Sequence, residues 1–345
     1  MKAIILFDLK SYSKNWQFLL LIIVLIAFGI FGGSVASFTL NENLAYNSPY
    51  QIAFITAFLS LTSIFFATLF SAQLALKEID FNFNFIYFSL PISKKQFLWS
   101  RFVSIFLLSL GFALLLTIGF FIGREFSSDG MKSTSFSFLY YLIPIVVFTV
   151  FNTFFVASIT TAVGWFTKSR LLIYVSGLLL YVFYMVSLLF SSSPFMANQL
   201  PQSKQAQFIS AIFDPFGMSA FFYQTSHLSI DQKNTEFIAA NGILLANRIG
   251  ILLISLLLLL LITRRFSVAK KVKPFKPNQV SRETSSIIDF QFVYPEKSTL
   301  VKMKSFFSFT KMNWIYVIKS IPFVLIVLSL LFAVGIVSFP KNRTV

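Results

Sequence analysis

Residues 102–122 read FVSIFLLSLGFALLLTIGFFI, 21 consecutive positions without a charge. At 1.5 Å per residue such a helix is about 30 Å long, the thickness of the hydrocarbon layer of a bilayer. Apolar side chains fill every helical face, so the segment lacks the polar stripe of a helix lying on a soluble core. Polar and apolar residues do not alternate along it either, which excludes a strand of a membrane barrel. Six similar runs, uncharged or nearly so, accompany it: Phe18–Phe38, Gln51–Leu76, Phe138–Phe166, Leu171–Phe190, Ile243–Ile262 and Ile321–Phe339. Lipid offers the backbone no water to bond, so each run must be a helix. The fold class that follows is all-α, a polytopic transmembrane helix bundle with seven spans. Composition agrees: 57% of residues are hydrophobic and 12% charged, against about 25% charged in soluble domains.

A net charge of +16 suits a nucleic-acid binder, but the basic residues sit in the loops between apolar runs. With the N-terminus placed in the cytosol, 21 of the 28 lysines and arginines fall in inner segments and six in outer ones. Lysine and arginine near span ends are retained on the cytosolic side, which predicts a cytosolic N-terminus and excludes nucleic acid as the partner. The expected location is a bacterial inner (cytoplasmic) membrane, with the bilayer itself as the first partner. The remaining cation, Arg248, lies inside the sixth run near its outer end. Its long stem is expected to snorkel to the interface, a counter-charge for substrate being the alternative.

Chemistry is sparse. There is no cysteine and a single histidine, His227, so thiol catalysis, disulfides and most metal sites are excluded. No GxxxxGK[ST] loop, HExxH pair or GxSxG elbow occurs, and no cofactor is implied. The spans also lack the chains of carboxylates that ion-coupled carriers use as relays. The 47 phenylalanines read as lipid-facing filler rather than as an aromatic path.

Ahead of the first run, residues 1–17 alternate apolar Ile4, Ile5, Phe7, Leu9 and Tyr12 with Asp8, Lys10 and Lys14, the pattern of a short amphipathic helix on the cytosolic surface. A signal peptide cleaved near Ala36 is the rival reading. Against it, a similar prelude recurs before the last run, where aligning Lys14 with Lys319 also aligns Phe18 with Phe323. This points to a second unit that begins near residue 311 and continues beyond the chain. Between the units, residues 263–310 form a basic, serine-rich stretch that reads as a cytosolic linker.

Two further features bear on function. In the long outer segment after the fifth run stands Asp214-Pro215-Phe216-Gly217. Asp before Pro is a good helix start, so Asp214 is expected to cap a surface helix with Pro215 at its first position. The functional alternative is an outer gate. Helical faces bear small and polar residues at Thr56, Ser60, Ser63, Ala67 and Ser71, at Thr149, Asn152, Thr153 and Thr160, and at Tyr174, Gly177, Tyr181 and Tyr184. Close helix packing explains the first. Of the others Thr149, Asn152, Thr153, Tyr174, Tyr181 and Tyr184 are candidates for a substrate path, with packing as the alternative.

The most informative segment is the inner loop KEIDFNFNFIYFSLPISKKQFLWSRF, residues 77–102, too aromatic for a solvated loop and too charged to span. Ser93 is the expected N-cap, after which Lys94, Phe97, Leu98 and Arg101 share a helix face. Phe97 and Leu98 are expected to be exposed to the cytosol and Lys94 and Arg101 to lie at the rim of a docking surface.

The loop resembles that of ABC-2 type transporter permeases, in which an acidic residue after the second span leads to a Leu-Pro-x-Ser-Lys/Arg element and then an aromatic residue. Here these are Glu78, Leu90, Pro91, Ser93, Lys94 and Phe97, with Arg101 ahead of the third span. The resemblance covers about residues 1–265. It implies a surface helix (1–17), a six-span unit (18–262), a coupling helix that docks on a separate ATP-binding subunit, and a second permease unit, from a homodimer or a missing second half. The restart at 311–345 is similar to long bacterial permeases with two such units, some fused to a peptidase. The expectation is thus an export permease without its own ATPase. Rival readings are a membrane anchor or scaffold for an absent enzyme domain, and a secondary carrier or channel.

Overall fold

The structure is a computed structural model that describes residues 1–35, 43–80, 93–127, 133–189, 203–237, 241–265 and 299–318. Among these residues every regular element is helical, and six helices are long and apolar enough to cross a bilayer: Trp16–Val35, Pro49–Leu74, Lys94–Phe126, Phe138–Thr167, Arg170–Leu188 and Gly242–Arg265. The chain is a multi-pass membrane protein. The seventh expected run, Ile321–Phe339, and most of the linker lie outside the described residues. A helix over Thr299–Ile318 takes up the last part of the stretch read as linker.

The N-terminal helix, Lys2–Ser13, packs against the third span, and the end of the bundle where it does so is called here the near end. Among the described residues the first and third spans share the most extensive contact. Its cause is a pair of facing motifs, Gly29-xxx-Gly33 and Gly119-xxx-Gly123. A Cβ at Gly29 or Gly33 would collide with the carbonyls of Leu116 or Phe120, and one at Gly119 or Gly123 with those of Ile26 or Ile30. Without side chains at these positions the backbones touch, the main source of helix affinity in lipid, where no hydrophobic drive brings helices together. Gly29 and Gly33 are the only buried residues of Trp16–Val35, whose other faces are left to lipid.

The second span is central. Its small-residue face, Thr56, Ser60, Ser63, Ala67 and Ser71, is buried throughout, and Ser71 Oγ meets Thr160 Oγ1 of the fourth span at 2.8 Å. The packing reading of that stripe holds. Ser48 caps the helix ahead of Pro49, and a turn at Leu61-Thr62 divides it. In the fourth span Pro144 offers no N–H to the ladder, and the following turn, Ile145–Val150, widens to i→i+5 bonding. The third span is one unbroken 33-residue helix, about 50 Å long, so it projects well beyond the hydrocarbon layer.

Between the fifth and sixth spans the chain re-enters the bundle as a hairpin of two short helices, Lys204–Phe213 and Met218–Thr225. They run antiparallel, with the rings of Phe208 and Tyr223 5.9 Å apart. At the base, Gln224 Oε1 accepts from Leu244 N at the start of the sixth span. At the tip, Phe216 O accepts from Asn152 Nδ2 at 3.2 Å, midway along the fourth span. The hairpin therefore descends from the far end to about mid-depth.

Candidate functional site

Of the three arginines buried among the described residues, Arg101, Arg124 and Arg248, two organise the polar groups of the bundle, Arg101 and Arg248. The first stands at the near end. Ser93 caps the third span in a reciprocal box, its side chain accepting from Gln96 N while Gln96 Oε1 accepts from Ser93 N. The cap agrees with expectation, and Ser93, Lys94, Lys95 and Gln96 are exposed. Phe97 and Leu98 are not exposed: they are 3% and 0% accessible. Both belong to the hydrophobic core, so the apolar face expected to meet a partner is covered from within the chain, and the N-terminal helix packs beside them at Ser100 and Arg101. Leu90 and Pro91 lie outside the described residues.

Arg101 is likewise interior rather than a rim residue. Its Nη1 pairs with the carboxylate of Asp8 and its Nη2 with that of Glu78. All three side chains are buried, and the guanidinium also lies 5.6 Å from the centre of the Phe97 ring. Three segments distant in sequence are thereby joined: the N-terminal helix, the end of the second span and the start of the third. Asp8 is the single buried residue of its helix, held in place by charge rather than by an apolar stripe. Beside it, burial and the Asp8 carboxylate push the Tyr12 phenol up to about 12, with Arg101 opposing. The hydroxyl thus stays protonated and donates to Gln73 Oε1 at 2.8 Å. Lys77 Nζ sits over the Phe7 ring at 6.0 Å, adding a cation near a pair of carboxylates that share one arginine.

The second arginine lies beneath the hairpin tip. Arg248 is 1% accessible and does not reach the interface, contrary to the snorkelling expectation. Its Nη1 donates to Asn152 Oδ1 at 2.7 Å, its Nη2 to Asn247 Oδ1 at 2.6 Å and to Pro215 O at 3.5 Å. Gly217, with φ of +77°, closes over the guanidinium, and any Cβ there would collide with it. The reason for the burial is the hairpin itself: its turn leaves carbonyls free inside a membrane protein, and such groups must be met by protein donors. Asn247 Nδ2 serves Ala211, Ile212 and Asp214 O at 2.8–3.0 Å. Asn152 Nδ2 serves Phe216 O and Ser60 Oγ.

Asp214 does cap free N–H groups, accepting from Phe216 N at 2.8 Å and Ser219 N at 2.6 Å. The helix it serves starts at Met218, however, and Pro215 belongs to the turn, not to a first helical position. Asp214, Phe216 and Gly217 are buried, so the motif is no surface helix. Of the candidate path residues, Thr149, Asn152, Thr153 and Tyr184 are buried close under or beside this hairpin, while Tyr174 and Tyr181 are half-buried. Tyr184 packs on Phe216 with ring centres 4.4 Å apart. Gly177, on the same face of the fifth span, admits Thr68 of the second.

What sequence reasoning missed is the pairing of Asp8 with Arg101 and the two facing glycine motifs. The second had a signal, since small-xxx-small spacing in an apolar helix marks a contact face. The first had only an odd acid in an apolar prelude. No model of a known protein family matches the chain, and comparison with curated proteins finds no match either.

Proposed function

We propose that this chain is the membrane-spanning permease subunit of an ATP-driven exporter of ABC-2 type, energised by a separate ATP-binding subunit at its near end, which faces the cytosol. The observation that carries the reading is the Asp8–Arg101–Glu78 junction behind an exposed, capped helix start. A partner seated on Ser93–Gln96 pushes on a helix that is rigid for 33 residues. The junction passes that push to the N-terminal helix and the second span, and the glycine contact passes it to the first. The partner surface is thus the polar turn at Ser93, Lys94, Lys95 and Gln96, not Phe97 and Leu98. At the other end the hairpin acts as the outer gate: a path past Thr149, Asn152, Thr153 and Tyr184 opens when its tip withdraws. The charge distribution, 21 basic residues inside against six outside, supports the orientation.

The test is purification of the intact protein from its native membrane with attached subunits identified by mass, followed by ATPase measurement with and without this chain. An ATP-binding subunit that co-purifies, and whose ATPase changes when Lys94 and Lys95 are both replaced by Glu, supports the reading. An isolated chain, or one attached to an enzyme without ATPase, makes it an anchor or scaffold instead.

A further inference from the structure

We propose that the groove beside the descending hairpin helix, Lys204–Phe213, holds one anionic phospholipid of the far leaflet, its phosphate at Lys204 and an acyl chain along Ile209, Ile212 and Phe213. This goes beyond the transport reading and needs only the bilayer. The groove has a volume of about 420 Å³ and is lined by Lys204, Gln205, Phe208, Ile209 and Tyr223. Its polar and apolar parts are separated along the helix. Ser203, Lys204 and Gln205 stand at the mouth, while Phe208, Ile209, Ile212 and Phe213 are exposed further down, Phe213 to 77%.

The dimensions fit one leaflet. Ten helical residues span about 15 Å, half of the roughly 30 Å hydrocarbon layer, and the helix runs from the far end to a tip at mid-depth. An acyl chain anchored at the mouth therefore reaches Phe213 as it ends. Charge fits as well. The exposed Lys204 ammonium stands at the mouth, beside the positive dipole end of a helix that Ser203 Oγ caps at Ala206 N, and both favour a phosphate there. Among the described residues no carboxylate pairs with Lys204. A choline headgroup would bring its own cation to this mouth, so the selectivity is for phosphatidylglycerol over phosphatidylcholine.

The experiment is native mass spectrometry of the full-length chain, released from nanodiscs of phosphatidylglycerol or of phosphatidylcholine, with thermal denaturation in parallel. The parent protein should retain one phosphatidylglycerol in preference to phosphatidylcholine. Lys204→Glu should lower that retention about fivefold, the contribution of one lysine near an anionic surface, while the helix persists because an acid in its first turn is favourable. Ile209→Ser with Ile212→Ser should lower retention of both lipids, and Lys233→Gln, elsewhere at the far end, should lower neither. Equal retention by the parent and Lys204→Glu overturns the proposal, as does an equal loss in Lys204→Glu and Lys233→Gln. A dimer that dissociates in the serine variant with lipid retention unchanged also overturns it, and assigns the groove to a second copy.

Discussion

Arg101 and Arg248, both buried, solve one problem in opposite ways. Arg101 is paired with two carboxylates, where helices from three parts of the chain meet. Arg248 touches no carboxylate and is held by two side-chain amides and a backbone carbonyl, with Asp214 supplying the nearby negative charge. At the near end a cation ties together elements that also meet through the Tyr12–Gln73 hydrogen bond and the Phe70–Phe112 ring contact; under the hairpin it fills the acceptors that a broken helix leaves behind. Burial of an arginine is therefore no single signal. Its partners say whether it ties elements together by charge or satisfies backbone by hydrogen bonding.

The largest effect that follows is at the near end. Arg101→Met strands two buried carboxylates and should cost about 3–5 kcal/mol, enough to empty the folded state of a marginal protein. The check is the thermal midpoint in detergent. Restoring neutrality with Asp8→Asn and Glu78→Gln in the same chain should recover most of the loss. If the triple variant is no better than Arg101→Met, geometry rather than charge holds the junction, and the contrast with Arg248 collapses.

Arg248→Met should cost less, about 1–3 kcal/mol, because the groups it abandons are neutral acceptors. Its signature is local. With its pin removed, a cysteine placed at Phe216 should become reactive to thiol reagents in this otherwise cysteine-free chain, whereas it should stay protected in the neutral near-end variant that combines Arg101→Met with Asp8→Asn and Glu78→Gln. Equal reactivity in both would show that the hairpin opens with global loosening and has no latch of its own.

How far all this was legible in the sequence follows from the range of each interaction. Helices, six of the seven expected spans and the Ser93 cap depend on neighbours a few residues apart, and their reading from the sequence agrees with the structure, the seventh span lying outside the described residues. The Asp8–Arg101 pair joins positions 93 apart, which no periodicity connects. Arg248 was misread because its position near a span end invites it outward, and only the hairpin, whose depth no local pattern reveals, explains why it points into protein. Phe97 and Leu98 were misread for a related reason. Their spacing shows that they share a face but not that the fold itself buries it. The glycine pairs were legible and overlooked, and Gly123→Val should test them. A branched side chain against the Ile30 carbonyl should cost about 1–3 kcal/mol and separate the first span from the third.

The smallest effect on the fold is expected where the largest effect on function lies. Lys94 and Lys95 are exposed, and replacing both by Ala should shift stability by less than about 0.5 kcal/mol each. Phe97→Ala, by contrast, empties a buried site and should cost about 3–5 kcal/mol, so any loss of partner binding it causes is a loss of fold. The two variants thus separate docking from support. In the lysine variant the thermal midpoint should hold while partner capture falls, and the fall should fade as salt is raised, since exposed charges are screened within about 8–10 Å. Were the lysine variant to capture the ATP-binding subunit as the parent does at low salt, the Ser93–Gln96 turn would not be the docking surface. The near-end junction would then brace the fold without transmitting force, and Arg101 would differ from Arg248 only in its choice of partners.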